Sequence, residues 1–139
     1  MQNKILNENE VGVFALGGLG EVGKNMYCIE YQDEILVIDS GILFPDSSLL
    51  GIDYVINDYT YLQENEHKIK ALIISHGHED HIGAIPYLLR QVKIPKIYAN
   101  GIAIGLIKNK MQEHRGLRAN VVEFQEYETL VLGKMSVSF

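Results

Sequence analysis

The feature that most constrains this chain is a polar hexad at residues 76–81, His-Gly-His-Glu-Asp-His, which directly follows an apolar run at residues 71–75. The run is short, uninterrupted and rich in β-branched residues, a pattern that predicts a buried strand. A chain that leaves a rigid strand carries its next side chains in restricted positions. The sequence therefore predicts a fixed cluster of polar side chains at the end of a strand.

The spacing within the hexad predicts two metal sites. In extended chain, His76 and His78 point the same way and can bind one ion, whereas Asp80 and His81 follow a bend and can bind a second. Imidazole suits Zn²⁺, and a carboxylate accepts Zn²⁺ or Mn²⁺. We therefore expect two divalent ions, Zn²⁺ before Mn²⁺, with Asp80 and His81 as the candidate catalytic residues. Two ions about 3.5–4 Å apart can activate a shared nucleophile for hydrolysis. A solvated, histidine-rich loop is the alternative, and the fixed spacing disfavours it.

Asp39 ends a second apolar run and has two interpretations. It could bind a metal directly, but a carboxylate at a strand end beside a histidine cluster more often orients the ligands through hydrogen bonds. We therefore expect Asp39 to support the metal loop.

The glycine-rich segment at residues 18–23 imitates a dinucleotide-binding fingerprint, because Asp39 follows at about the expected distance. That fingerprint requires a helix after the glycines, whereas this sequence predicts another strand. Two interpretations remain for the segment: a tight turn without a ligand, or a loop that borders the active site.

The hexad is the signature of the metallo-β-lactamase superfamily, and other segments narrow the resemblance. They are residues 15–25 (ALGGLGEVGKN), 35–41 (ILVIDSG), 50–55 (LGIDYV) and 81–89 (HIGAIPYLL). Together they resemble the N-terminal part of bacterial ribonuclease J, a β-CASP subgroup of that superfamily, over essentially the whole chain. The hexad is intact, so the resemblance is to the catalytic type.

This resemblance implies an α/β fold, the N-terminal part of the metallo-β-lactamase αββα sandwich, over residues 1–139. It implies a two-metal ribonuclease with 5′-to-3′ exonuclease and endonuclease activity in RNA maturation and decay. It further implies RNA as a partner, a homo-oligomer, an RNA-decay complex and a cytoplasmic location. The rest of the metallo-β-lactamase domain, the remaining metal ligands, a β-CASP domain and a C-terminal domain are expected beyond Phe139.

Two alternatives to a ribonuclease stay open at the level of sequence. One is a metallo-hydrolase of small molecules, such as thioesters or lactams. The other is a non-catalytic fragment that binds metal or another protein. Because the chain stops within a predicted strand, we expect the 139 residues alone to be inactive and prone to associate through an unpaired edge.

Composition agrees with a single folded unit. No run of 18 apolar residues exists, so the sequence predicts no membrane span. A single cysteine, Cys28, excludes an internal disulfide and is expected to be a buried apolar residue.

Net charge is −6, yet residues 90–118 hold seven cations against one acid. That basic segment is either a solvated surface or an electrostatic footprint for phosphate.

Local patterns predict the remaining elements. Strands are expected at 11–16, 26–31, 35–39, 71–75 and 96–99, and a hairpin at 130–132 and 135–139. Helices are expected at 59–64, at 80–91 with Asp80 as its cap, and at 101–114. Residues 42–58 form a long loop. His67 and His114 are expected in solvent.

Overall fold

The computed structural model describes residues 6–139, and within them the main element is a six-stranded sheet. Its strands lie side by side in chain order: β1 (Val11–Gly17), β2 (Met26–Tyr31), β3 (Glu34–Ile38), β4 (Ile69–Ile73), β5 (Ile97–Ala99) and β6 (Val121–Glu123). The first three strands are antiparallel, and β3 to β6 are parallel. Antiparallel neighbours need only tight turns, whereas the parallel ones require longer crossovers.

Helices supply those crossovers and cover one face of the sheet. They are α1 (Thr60–Glu64), α2 (Glu79–Ile82), α3 (Ile85–Gln91) and α4 (Gly101–Gln112), with a 3-10 turn at Glu66–Lys68 before β4. Alternate strand residues, among them Val37 and Leu72, pack against helix residues such as Leu88 and Ile107 in the main core. Each of these four side chains is essentially inaccessible to solvent. This core holds the strand ends, and therefore the polar loop after β4, in place.

The helix that we expected over residues 80–91 is two helices, and Asp80 does not cap it. Helix α2 begins after His78, so Asp80 lies in its first turn. Helix α3 begins at Ile85 and carries Pro86 in its first turn, where the missing backbone donor costs nothing. The break at Gly83 and Ala84 resolves the conflict between the apolar pattern and an internal proline.

The opposite face of the sheet is partly covered by a two-stranded hairpin, β7 (Thr129–Leu132) and β8 (Met135–Ser138). Hairpin residues pack on Leu36, Ala71, Ile73 and Tyr98 of the central strands. The hairpin therefore shields the central strands on this face from solvent. The edge strand β1 stays open, and Val13 is 71% exposed.

Most of the remaining elements match the predictions from sequence. The predicted hairpins and the strands before and after the hexad are confirmed, with ends that shift by one or two residues. Strand β6 was not predicted. Cys28 is buried as expected. Within residues 6–139, every helix is too short or too polar to span a bilayer.

Candidate metal centre

The site lies where two parallel neighbours, β3 and β4, end at the same edge of the sheet. Ile38 is paired with Ile73, so Asp39 and the hexad leave the sheet together. The main-chain N–H of Asp39 donates to the carbonyl of Ile73 at 2.9 Å. Asp39 has a φ of 63°, a left-handed conformation that is uncommon outside glycine but that asparagine and aspartate adopt more often than other residues. This turn directs its carboxylate toward the chain that follows β4.

The carboxylate of Asp39 is buried and accepts three hydrogen bonds from the loop after β4. Oδ1 accepts from the main-chain N–H of Ser75 at 2.8 Å, and Oδ2 accepts from the Ser75 hydroxyl at 2.7 Å. Oδ2 also lies 2.7 Å from Nδ1 of His81. A carboxylate only accepts, so Nδ1 of His81 carries the proton, and Nε2 keeps the lone pair that can bind a metal.

Ser75 extends the same arrangement to His76. Its hydroxyl proton is used toward Asp39, and its oxygen lies 3.0 Å from Nδ1 of His76. The oxygen can therefore accept from Nδ1–H of His76, which leaves Nε2 of this ring free as well. Asp39 thus sets the tautomer of two predicted ligands, one directly and one through Ser75. Ser75 was not predicted as a site residue, because a serine at a strand end carries no specific signal in the sequence.

The four predicted ligands are brought together. The ring of His76 lies 4.6 Å from that of His78 and 4.0 Å from that of His81, measured between centroids. Oδ2 of Asp80 lies 3.5 Å from Nε2 of His81. Three imidazoles and one carboxylate are a donor set that suits Zn²⁺ or Mn²⁺.

The same side chains do not form a closed cage. In the described part of the chain, no three His, Cys, Asp or Glu side chains converge on a position for one ion. By chemistry and proximity the residues fit divalent metal ions as two partial sets of ligands.

Main-chain hydrogen bonds clamp the hexad against the segment that follows β3. Ser40 N–H donates to the carbonyl of His81 at 2.7 Å, and Ile42 N–H donates to that of Glu79 at 3.2 Å. Between them, Gly41 passes so close to the chain that an added Cβ would lie 1.6 Å from the Asp80 carbonyl oxygen. Only glycine permits this approach.

The chain just after the glycine-rich segment joins this clamp through Asn25, whose role was not predicted from the sequence. The main-chain N–H of Asn25 donates to the carbonyl of Asp80 at 3.1 Å, and its own carbonyl accepts from Gly41 at 3.0 Å. Its side-chain amide also donates to Asp80 Oδ2 at 3.1 Å. Of the two interpretations left open for the segment, the structure favours the loop beside the site.

Helix α4 contacts the hexad from the other side. Lys110 forms an ion pair with Glu79 at 2.8 Å, although Glu79 is itself exposed. The side chain of Leu106 lies against Gly77, where an added Cβ would be 2.8 Å from it. The hexad is therefore fixed by contacts with the segment that follows β3, with Asn25 and with α4.

The other two histidines lie outside this cluster. His67 is exposed, as expected. His114 is half-buried rather than free in solvent, with its ring 5.3 Å from that of Tyr87 and its Nδ1 3.2 Å from the Arg90 guanidinium. The basic segment at residues 90–118 is largely exposed, so its role as a phosphate footprint stays a prediction.

Comparisons with known proteins agree with this architecture. A family model described as the metallo-beta-lactamase superfamily matches residues 19–135. The chain is 57% identical to Ribonuclease J 1 of Streptococcus pyogenes, over 100% of this chain and 25% of that protein. It is 51% identical to Ribonuclease J of Mycoplasma pneumoniae, over 91% of this chain and 23% of that protein. The chain thus spans about a quarter of the length of these relatives.

A solved structure shares the fold. The metallo-beta-lactamase fold protein YhfI from Bacillus subtilis superposes with a TM-score of 0.59 at 20% identity, over 94% of this chain and 52% of that one. The predicted α/β class and the resemblance to ribonuclease J are confirmed. A family match over most of the chain, together with this shared fold, shows that the chain belongs to the metallo-β-lactamase superfamily.

Proposed function

We propose that the protein carrying this chain is a metal-dependent ribonuclease that hydrolyses RNA phosphodiesters. The observation that carries the proposal is 57% identity, over the whole chain, to a protein named Ribonuclease J 1. The local chemistry is compatible with the proposal, because all four candidate ligand residues are present and hydrogen bonds hold the hexad in place. Both 5′-to-3′ exonuclease and endonuclease action belong to the proposal.

We assign the metal ligands as His76 and His78 for a first ion and Asp80 and His81 for a second. When bound, such ions activate water and stabilise the negative charge that develops on the phosphoryl oxygens in the transition state. The chain's contribution is to hold these four side chains in usable orientations before an ion binds. Asp39 does so for His81 directly and for His76 through Ser75.

The 139 residues alone are proposed to bind Zn²⁺ weakly and to cleave no RNA. Four ligand side chains divided between two half-sites leave each ion with fewer than the usual number of protein ligands. Calorimetric titration of the isolated segment checks the first point. Absence of binding, or unchanged binding in a His76→Ala/His78→Ala double variant, would contradict the assignment of the loop.

The main experiment is a cleavage assay on the full-length polypeptide with 5′-monophosphorylated RNA. We expect His76→Ala and Asp80→Ala each to reduce cleavage by more than about 100-fold, beyond the 10–100-fold typical of outer metal partners. His67→Ala is the matched control, because His67 is an exposed histidine away from the cluster. Circular dichroism should show all three variants folded.

Three outcomes would contradict the proposal. Wild-type cleavage by Asp80→Ala would exclude the assigned metal centre. Hydrolysis of a thioester or lactam without cleavage of RNA would favour the small-molecule hydrolase. Failure of the wild-type protein to hydrolyse any of these substrates would favour a non-catalytic role. A cytoplasmic location, a homo-oligomer and an RNA-decay complex are further proposals that rest on the same similarity.

A further inference from the structure

We propose that Asn25 is a positioning residue for the second metal half-site, and that the glycine-rich segment exists to hold its amide there. This inference rests on the proposed metal centre, because it concerns the same Asp80 and His81. Asn25 is 55 positions from Asp80 in sequence, yet its side chain contacts both of those predicted ligands.

The side-chain amide of Asn25 faces acceptors. Nδ2 lies 3.1 Å from the carbonyl oxygen of Asp80, 3.1 Å from its Oδ2 and 3.4 Å from Nε2 of His81. The carbonyl and the carboxylate can only accept, so chemistry fixes which end of the amide points inward. Nε2 of His81, unprotonated because Asp39 holds the ring proton at Nδ1, lies at 3.4 Å, beyond the usual range of about 2.7–3.2 Å, so its lone pair stays available for an ion. The amide therefore lies between the two ligands.

The main chain of Asn25 is immobilised, which makes the position of the amide reproducible. Its N–H donates to the Asp80 carbonyl, and its carbonyl accepts from Gly41. The neighbouring Lys24 is tied as well, since its N–H donates to the carbonyl of Ile42 at 3.0 Å. Few rotations of the Asn25 side chain remain that satisfy both amide hydrogens.

Glycine at position 18 makes the space for this amide. Gly18 has a φ of +91°, and a Cβ there would lie 2.6 Å from Oδ1 of Asn25 and 3.1 Å from its Cα. A larger residue would push the amide toward Asp80 or out of the site. The packing of Asn25 therefore explains the glycine at position 18 without a nucleotide ligand.

The chemical consequence concerns the carboxylate of Asp80. Asn25 donates to Oδ2, the oxygen that also lies 3.5 Å from Nε2 of His81. The amide thereby fixes the rotation of the carboxylate, and Oδ2 keeps a second lone pair for an ion beside His81. Asp39 orients His81, and Asn25 orients Asp80. Each predicted ligand of the second ion is therefore held by a different side chain.

The test is Zn²⁺ titration of the full-length polypeptide by calorimetry, with metal content measured after dialysis. Asn25→Ala keeps both main-chain hydrogen bonds and removes only the amide. We expect one Zn²⁺ to bind with wild-type affinity and the second to bind 10–100-fold more weakly, the usual effect of losing an outer partner. If Asn25→Ala is unstable, Asn25→Leu keeps the branched shape of the side chain and removes the same donor.

Asn57→Ala is the matched control. The Asn57 amide donates to the carbonyl of Lys24 at 2.9 Å, so this variant disturbs the same turn and touches neither Asp80 nor His81. We expect it to bind both ions as the wild type does. Wild-type affinity for the second ion in Asn25→Ala, or equal weakening in Asn57→Ala, would overturn the positioning role.

A His76→Ala/His78→Ala variant separates this inference from the proposed function. If it loses the first ion and Asn25→Ala retains both, the metal centre stands and only the role of Asn25 fails. If it binds Zn²⁺ as the wild type does, the metal centre itself is wrong, and the role of Asn25 falls with it.

Discussion

Nδ1 of His81 lies 2.7 Å from Oδ2 of Asp39, across 42 positions of sequence. This contact determines which nitrogen of the ring is free and which is protonated. It also places a buried carboxylate behind a residue that we propose as a metal ligand. The first prediction tests this relationship.

Asp39→Asn is expected to weaken Zn²⁺ binding by about 10–100-fold in the full-length protein. The asparagine keeps the shape, but an amide N–H directed at His81 would require Nδ1 to accept, which moves the ring proton to Nε2. Zn²⁺ titration measures the effect, and Asn57→Ala serves as the control with a similar loss of polar contact elsewhere. Unchanged affinity would show that Asp39 does not set the tautomer.

Asp39→Ala is expected to act on stability as well. It leaves the main-chain N–H of Ser75 without its partner and should lower the free energy of unfolding by about 3 kcal/mol. Urea denaturation of Asp39→Asn and Asp39→Ala side by side separates the two effects, because the asparagine retains an acceptor. Equal stability of the two variants would contradict this account.

Gly41→Ala is expected to lower the free energy of unfolding by more than about 3 kcal/mol. The new methyl group would meet the main chain of Asp80 and Asn25, and neither can rotate away as a side chain would. Gly105→Ala is the matched control, since nothing lies within 4 Å of its position in α4, and it should raise stability by up to about 1 kcal/mol. Thermal denaturation of both variants provides the comparison.

Cys28 is expected to react with iodoacetamide only after unfolding. Burial, and secondly the charge of Glu30, raise the pKa of its thiol to about 12. Since the thiol of an unfolded chain has a pKa of about 8.5, the stability contributed by the neutral thiol is complete below that pH. It is then lost progressively as the pH rises toward 12.

Free energies of unfolding measured between pH 8 and pH 11 test whether stability falls as the pH rises. In Cys28→Ala the fall with pH should be shallower by up to about 1.4 kcal/mol per pH unit, the slope for one proton. The difference between variant and wild type matters here, because tyrosines also titrate in this range. Identical slopes would show that the thiol does not titrate with unfolding.

Glu34→Ala is expected to loosen the β7–β8 hairpin and cost about 2 kcal/mol. The buried Glu34 carboxylate accepts from the main-chain N–H of Lys134 at 2.7 Å and lies 3.7 Å from Nζ of Lys70. Hydrogen exchange of the hairpin amides should accelerate in Glu34→Ala. In Asp33→Ala it should change little, because Asp33 forms only an exposed ion pair with Lys134.

The sequence predicted those parts of the fold that short-range patterns determine. The strand before the hexad, the β2–β3 hairpin and the terminal hairpin each follow from the alternation or clustering of apolar residues. The division of the 80–91 helix did not, because the apolar face runs through both helices and conceals the break at Gly83. Strand β6 has only three residues, too few for a pattern.

In the site, too, the residues that lie close together in sequence were predicted, and most of those that come from distant positions were not. Its candidate ligands lie within six residues, so their grouping was visible in the sequence. Their supports come from elsewhere: Asp39 is 36 positions from Ser75, and Asn25 is 55 from Asp80. Asp39 was found because it ends an apolar run, whereas no single-sequence rule connects Asn25 to the hexad.

The main-chain clamp between residues 39–42 and the hexad has a consequence for variants of the site. Its hydrogen bonds use N–H and carbonyl groups that every residue except proline possesses, and its one strict side-chain demand is glycine at position 41. A copy of this chain whose histidines had been replaced would keep the same path through the loop. Replacing the metal-binding side chains therefore removes the chemistry at this position without removing the hydrogen bonds that hold its main chain.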